Sequence, residues 1–471
     1  MAQPHHGGYD GEQGHADREW ARGSRSCVRI AKEAWCWYTH GLRLTSSVDL
    51  TKEETRLATS VGKLNGPAGQ LFADPAPAPD EASFQVDNDS DEYYNSVYFE
   101  QHKDQVQPVP SPRATPPRLD LASVLDADVL AAVTASGRIS FHAVGDTGAS
   151  ESSSIAREAA VADAMVEDLS VAPASAPAFF FHLGDVVYNF GEGRYYYDQF
   201  YEPFRGYDRP IFAIPGNHDG MVFGNASDTP NTETLTAFLR NFCAASPGPS
   251  PDAAGLVRST MTQPGVYFTL DAPFVSIVGL YTNVLHGPGV ISSQGGNYPI
   301  GDEQLQFLAS ELKRLKQQRA GGDRRAIILA CHHPPVSVDA MHGGGTGLSR
   351  DLDTAFSEAG VVPDAVLSGH AHLYQRYTRV HDDRQIPYLV AGSGGFAAQP
   401  PQPGVPPAPV TVGDFTLVRD PIIEFGYLTL TVDMTTESGK LAIRWSGTRG
   451  SADAVTVDLG SGRIASQRIP G

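Results

Sequence analysis

Between residues 139 and 372, apolar runs of strand length each end on a side chain able to bind a metal, and nothing else in the chain narrows its fold so much. The first run, ISFHAVGD, closes at Asp146; PAFFFHLGD closes at Asp185; PIFAIPGN closes at Asn217. Segments of helical period separate them, over residues 154–169, 195–204 and 232–242. Further strand candidates are 266–270, 274–281, 326–331, 365–367 and 387–391. Residues 302–318 place Leu305, Leu308, Leu312 and Leu315 at helical spacing. Strands alternating with helices specify a layered α/β domain. In such folds ligands bind beyond the carboxyl ends of the strands. Asp146, Asp185, Asn217, His332, His370 and His372 all fall at or just past such an end, so one rim gathers six donors.

Position does the selecting. The chain has five Gly-Asp pairs, and only those at Asp146 and Asp185 close an apolar run. Taken singly, each residue has a plain explanation: Asp after Gly serves turns and helix caps, a strand-end His is often structural, and Asn before His suits a turn. Taken jointly and in order, they form a donor set of carboxylate, amide oxygen and imidazole without thiolate, which suits manganese, iron or zinc. A carboxylate such as Asp185 can bridge two ions about 3.5–4 Å apart. No Ser or Cys nucleophile elbow is present; GSGG at 392–395 lacks an activating context.

The blocks GDTG (145–148), GDVVY (184–188), GNHD (216–219), ACHHPP (330–335) and GHAH (369–372) stand in an order that resembles the calcineurin-like metallophosphoesterases, and within them the purple acid phosphatases. The resemblance covers about residues 138–433. It implies a four-layer α-β-β-α sandwich of two mixed sheets, and two metal ions, iron together with zinc, manganese or a second iron. It puts Asp146, Asp185, Tyr188 and His372 on one ion and Asp185, Asn217, His332 and His370 on the other, with a water ionised on the metals as nucleophile. Many relatives carry a His two residues after the first Asp; here that residue is Gly148, and Tyr188 is the apparent substitute. A phenolate is a hard anionic donor that favours ferric iron. The family pattern, with the ligand directly after the strand and before a residue and Pro, implies His332 rather than His333. His218 is expected to act on the leaving oxygen, with Asp219 orienting it, and His342, in the loop MHGGGTG, resembles a phosphate contact. His142 and His182, inside strand runs, are expected to be structural.

These expectations describe a phosphomonoesterase of acid phosphatase type. The alternatives are a phosphodiesterase, cyclic nucleotides included, on the same centre, and a non-catalytic scaffold, which predicts damaged ligands; all seven ligand positions are filled.

Around this core, residues 1–125 lack periodicity and end in the Pro-rich stretch PVPSPRATPPR, an expected linker after an accessory segment whose residues 20–38 carry three Trp. The catalytic domain is expected over 126–433. After a Pro-rich loop (399–409), YLTLTVD, LAIRWSG and AVTVDL read as strands that extend a sheet edge, with 434–471 a C-terminal extension. A net charge of −19 argues against a nucleic-acid surface. Cys27, Cys36, Cys243 and Cys331 show no metal or disulfide spacing and read as free thiols. No run of about 18 apolar residues and no signal-peptide core is seen, so a cytoplasmic location is expected.

Overall fold

The computed structural model describes residues 109–468 apart from 150–151, 173–174, 189–190, 221–234, 257, 283–288 and 294–299. The tryptophan-rich segment at 20–38, Cys27, Cys36 and most of the loop 220–231 lie outside the described residues.

The described chain begins with β1 (Arg118–Asp120) and α1 (Ala127–Ser136), whose first turn is capped by the Asp126 carboxylate accepting from Asp128 and Val129 N–H. Then follow β2 (Arg138–Val144), α2 (Ser152–Glu167), β3 (Pro177–His182), β4 (Ile211–Ala213), and the short α3 (Asn217–Gly220) and α4 (Thr236–Phe242). The hairpin β5 (Phe268–Ala272) and β6 (Val275–Gly279) leads to α5 (Glu303–Ala320), β7 (Ala326–Ala330), α6 (Thr346–Ala359) and β8 (Ala365–Ser368). A second hairpin, β9 (Tyr374–His381) and β10 (Arg384–Ala391), precedes the small β11 (Val410–Val412) and β12 (Phe415–Leu417). The last strands are β13 (Gly426–Asp433), β14 (Lys440–Gly447), β15 (Ala452–Asp458) and β16 (Arg463–Arg468).

These strands form two mixed sheets, ordered β1-β5-β6-β7-β8-β10-β9-β12-β11 and β16-β15-β14-β13-β2-β3-β4. Between the sheets Phe141, Phe179 and Phe181 meet Phe268, Ile277, Ile328 and Leu367 in one buried cluster, with the Phe181 and Phe268 rings 6.1 Å apart. Alternate residues on the same strands, Phe180, Val278, Leu329 and Val366, instead join Val161 and Met165 of α2, Leu308 and Leu312 of α5 and Leu352 of α6. That alternation, with apolar side chains on both faces, is why these strands read as continuous hydrophobic runs. The result is the expected sandwich of two sheets with helices outside.

A buried ion pair ties the sheets together. Arg376 on β9 donates to both carboxylate oxygens of Asp453 on β15, at 2.6 and 3.1 Å, with both side chains fully buried. Tyr374 donates to the same carboxylate at 2.8 Å and stacks on Trp445.

Several elements differ from expectation. Residues 195–204 form no α-helix: a short 3₁₀ turn (Gly193–Tyr195) runs into a π-turn (Tyr197–Tyr201) that turns Gln199 inward. Wide turns of this kind recur at functional sites. β9 and β16 were not anticipated, being rich in polar residues. The sheet also starts earlier than the expected boundary near residue 125, since β1 pairs in parallel with β5. Among the described residues no helix is long and apolar enough to cross a membrane, and Cys243 and Cys331 are free, buried thiols.

Candidate metal centre

The loops leaving β2, β3, β4, β7, β8 and β10 converge on one rim. Backbone bonds staple them: Gly145 N–H donates to Ala391 O at 3.0 Å, linking the two sheets, Asp146 N–H to Gly184 O at 2.9 Å, and Gly369 N–H to His332 O at 2.9 Å. Asp146, Asp185 and His370 sit there with φ of 59°, 56° and 68°. The left-handed region is uncommon for residues other than Gly, with Asn, Asp and His the most tolerant. Gly216 is required by close approach, because a Cβ there would overlap the Asp185 carboxylate.

Two donor sets result. In the first, Asp146 Oδ1 lies 3.2 Å from Tyr188 Oη and 3.3 Å from His372 Nε2, and these two are 3.4 Å from each other. In the second, Asp185, His332 and His370 each bring one donor atom within 4.8 Å of the others. Asn217 Oδ1 is 3.0 Å from His332 Nε2, whose other nitrogen meets Leu183 O at 2.8 Å. All seven residues are buried, none more than 6% exposed.

The residues fit a pair of cations. Asp185 Oδ2 and His372 Nδ1 are buried without a hydrogen-bond partner, and Asp185 Oδ2 has His332 Nε2 at 3.4 Å facing it, so this buried carboxylate oxygen has room for a cation to answer its charge. The three-atom triangle around Asp146 has the spacing of ligands about 2.1 Å from one ion. The electrostatics of the donor sets point the same way. Burial opposes charge on His332, yet Asp185 and Asp146 overcome it and hold the imidazole up to about 10. Burial opposes charge on Asp185 as well, but His332, His218 and His370 hold its carboxyl well below the usual range. Burial, with Asp185 and Asp146, pushes the Tyr188 phenol well above 10.

Tyr188 is held from several sides. Gln199 accepts from its N–H at 2.8 Å and donates to its carbonyl at 2.9 Å. The Phe396 ring stacks parallel to it at 3.6 Å. A Cβ at Gly148 would meet Val186 O at 2.7 Å, Gln199 Oε1 at 2.8 Å and the Tyr188 ring at 3.0 Å, so the packing around Tyr188 leaves no room there for a side chain without a shift of its neighbours. Phe396 and Gln199 escaped the sequence reading. Phe396 follows the end of β10, the same kind of position that marks the ligands, whereas nothing local marks Gln199.

His218 lies with its ring 4.3 Å from Tyr188, and its N–H donates to Asp185 Oδ1 at 2.9 Å. Asp219, expected to orient His218, accepts backbone N–H bonds from Val186, Val187 and Gly216 at 2.9–3.2 Å, tying the loop after β3 to the loop carrying Asn217. Burial and Asp185 push its carboxyl up to about 7. The structure brings the His342 ring to 4.2 Å from His370. His333 Nδ1 is 2.7 Å from Thr282 Oγ1. His182, lowered to about 3 by burial, accepts from Gly184 N–H and meets the Thr147 hydroxyl. His142 lies between Tyr207 and Asp168.

Residues 139–374 match the family model described as calcineurin-like phosphoesterase. Over 102 residues the chain is 28% identical to the Arabidopsis thaliana protein named "Probable purple acid phosphatase 20", which covers 20% of this chain and 22% of that one. Among solved structures, it is similar to the purple acid phosphatase PPD1 from yellow lupin (Lupinus luteus) seeds, at 16% identity and a TM-score of 0.48 over 70% of this chain and 54% of that one. It is also similar to PhoD, at 14% identity and a TM-score of 0.40 over 77% and 74%. The chain thus spans about a fifth of the curated relative and about half of the lupin protein.

Proposed function

Since the chain belongs to the calcineurin-like phosphoesterase family, we propose that it hydrolyses phosphate esters at a two-metal centre and prefers monoesters. The observation that carries this reading is the pair of buried donor sets, Asp146 with Tyr188 and His372, and Asp185 with His332 and His370.

In this reading Asp185 is the shared ligand and Asn217 completes the second set; Tyr188 biases the first toward ferric iron, with zinc, manganese or iron beside it. When bound, the ions supply Lewis acidity to a phosphoryl oxygen and lower the pKa of a water from about 15.7 to about 7. The chain itself aims the ligands, excludes bulk water, and offers His218 to donate a proton to the leaving oxygen. Asp219 fixes the two loops on which Asp185 and Asn217 ride. His342, beside His370, is the candidate contact for a phosphoryl oxygen.

The test is the initial rate of the metal-loaded chain on an aryl phosphate monoester and its diester. The monoester is expected to be faster; a faster diester moves the reading to a phosphodiesterase, and no turnover of either sinks it. His218→Ala is expected to lower kcat about 10²–10⁴-fold with metal content unchanged, whereas loss of metal would make His218 a ligand. Iron-loaded protein should show a visible phenolate-to-iron band that Tyr188→Phe abolishes; persistence of the band in that variant refutes the tyrosine's role.

A further inference from the structure

The loop after β10 supplies no donor to the centre, yet it is fastened to it along its whole length. Gly394 N–H donates to Gly145 O and Phe396 N–H to Asp146 O, each at 3.1 Å. Gln399 N–H donates to His372 O at 3.1 Å, and its side-chain oxygen accepts from His372 N–H at 3.4 Å. Arg157 on α2 completes the clamp, donating to Gly395 O at 3.1 Å and to Phe396 O at 2.7 Å. At Gly395 the loop passes so close to α2 that a Cβ would meet Glu158 Cα at 2.6 Å.

What the clamp holds in place is Phe396. The seven donor residues are buried, whereas Phe396 is only half-buried. Its ring lies parallel to Tyr188 at 3.6 Å, 5.5 Å from His372 and 6.4 Å from His218. Tyr188 covers one face, so the solvent reaches the remainder of the ring. A flat apolar surface therefore stands open within a few ångströms of the side chain that would protonate the leaving oxygen. Its own segment carries no charge to compete: residues 385–413 contain no Asp, Glu, Lys, Arg or His, in a chain of net charge −19. A charged leaving group finds no counter-charge on this segment. An aromatic one finds a ring to pack against, fixed in advance by backbone bonds.

We propose that Phe396 is a specificity-determining residue whose open surface receives an aromatic ring on the leaving group, so that the substrates are phosphate monoesters of aromatic alcohols or phenols. The inference deepens the phosphoesterase reading and rests on it for the reaction, while the preference for an aromatic group is a property of the rim.

The experiment uses the full-length chain loaded with zinc and two pairs of probes. Benzyl phosphate and ethyl phosphate, whose leaving alkoxides are of similar basicity, are compared by kcat/KM. Phenylphosphonate and methylphosphonate, which have no ester bond to cleave, are compared by calorimetry. Wild type is expected to favour the aromatic member of each pair. Phe396→Ala is expected to lower that ratio about threefold to tenfold, the worth of one aromatic pair, and Phe396→Tyr, which restores a ring, to keep it. Loss of the stack on Tyr188 by itself would slow both esters alike, so an equal fall in both with the ratio preserved overturns the proposal. So does a wild type that favours neither member of the phosphonate pair, or binds neither. Absence of turnover together with a phenylphosphonate preference that Phe396→Ala removes would sink the phosphoesterase reading and leave the aromatic site standing.

Discussion

Asp185→Asn is expected to strip the chain of metal and reduce phosphatase turnover by more than about 10³-fold, since several kcal/mol of charge stabilisation convert at about 1.4 kcal/mol per tenfold. Asp185 is the residue that both donor sets are proposed to share. One of its oxygens already accepts from His218 N–H at 2.9 Å, and the other is buried without a hydrogen bond, 3.4 Å from His332 Nε2. An asparagine would keep its carbonyl on the His218 side and turn an NH₂ toward the metal position, replacing a charged acceptor with a donor. Elemental analysis and rates on purified protein check this. A variant that kept two ions per chain would dismiss Asp185 as the shared ligand.

The second large effect concerns stability. Asp453→Ala is expected to lower the free energy of unfolding by about 3–5 kcal/mol, because it leaves the guanidinium of Arg376 buried and unanswered. Tyr374 would lose its acceptor at the same time. Denaturant titration of the metal-free protein reads the loss. Replacing both partners with apolar residues, Arg376→Met with Asp453→Leu, should recover most of it, since what costs energy is the stranded charge rather than the missing pair. A single variant within 1 kcal/mol of wild type, on the order of a surface substitution, would show that the pair holds nothing together.

That ion pair also marks where the sequence stops being readable. β2, β3, β7 and β8 announce themselves because both of their faces are covered and their residues form unbroken apolar runs. β9 carries Arg376 and Arg379, which look like surface residues until their partners are known. Those partners, Asp453, Asp353 and Asp414, lie 77, 26 and 35 residues away, and no local pattern encodes pairing over such distances. The candidate site divides in the same way. Aspartates and histidines at strand ends are visible as a set because the fold class says where strand ends go. Phe396, Gln199 and Gln399 act through side-chain contacts between loops far apart in the chain, and glutamine or phenylalanine in a loop has no signature of its own. Asp219 stood in a legible block, but its carboxylate serves backbone N–H groups of two loops, a duty that becomes visible only once those loops meet.

The left-handed backbone at Asp146, Asp185 and His370 has one further implication. Each such residue costs about 1–2 kcal/mol that a glycine would not, and all three stand where the donors must point inward from turning strands. Glycine at any one of them would relax the turn and leave a calmer, hardier protein with one donor fewer for an ion. The rim is therefore where this molecule is least at ease in its metal-free state, and natural drift toward greater robustness would erode the centre first.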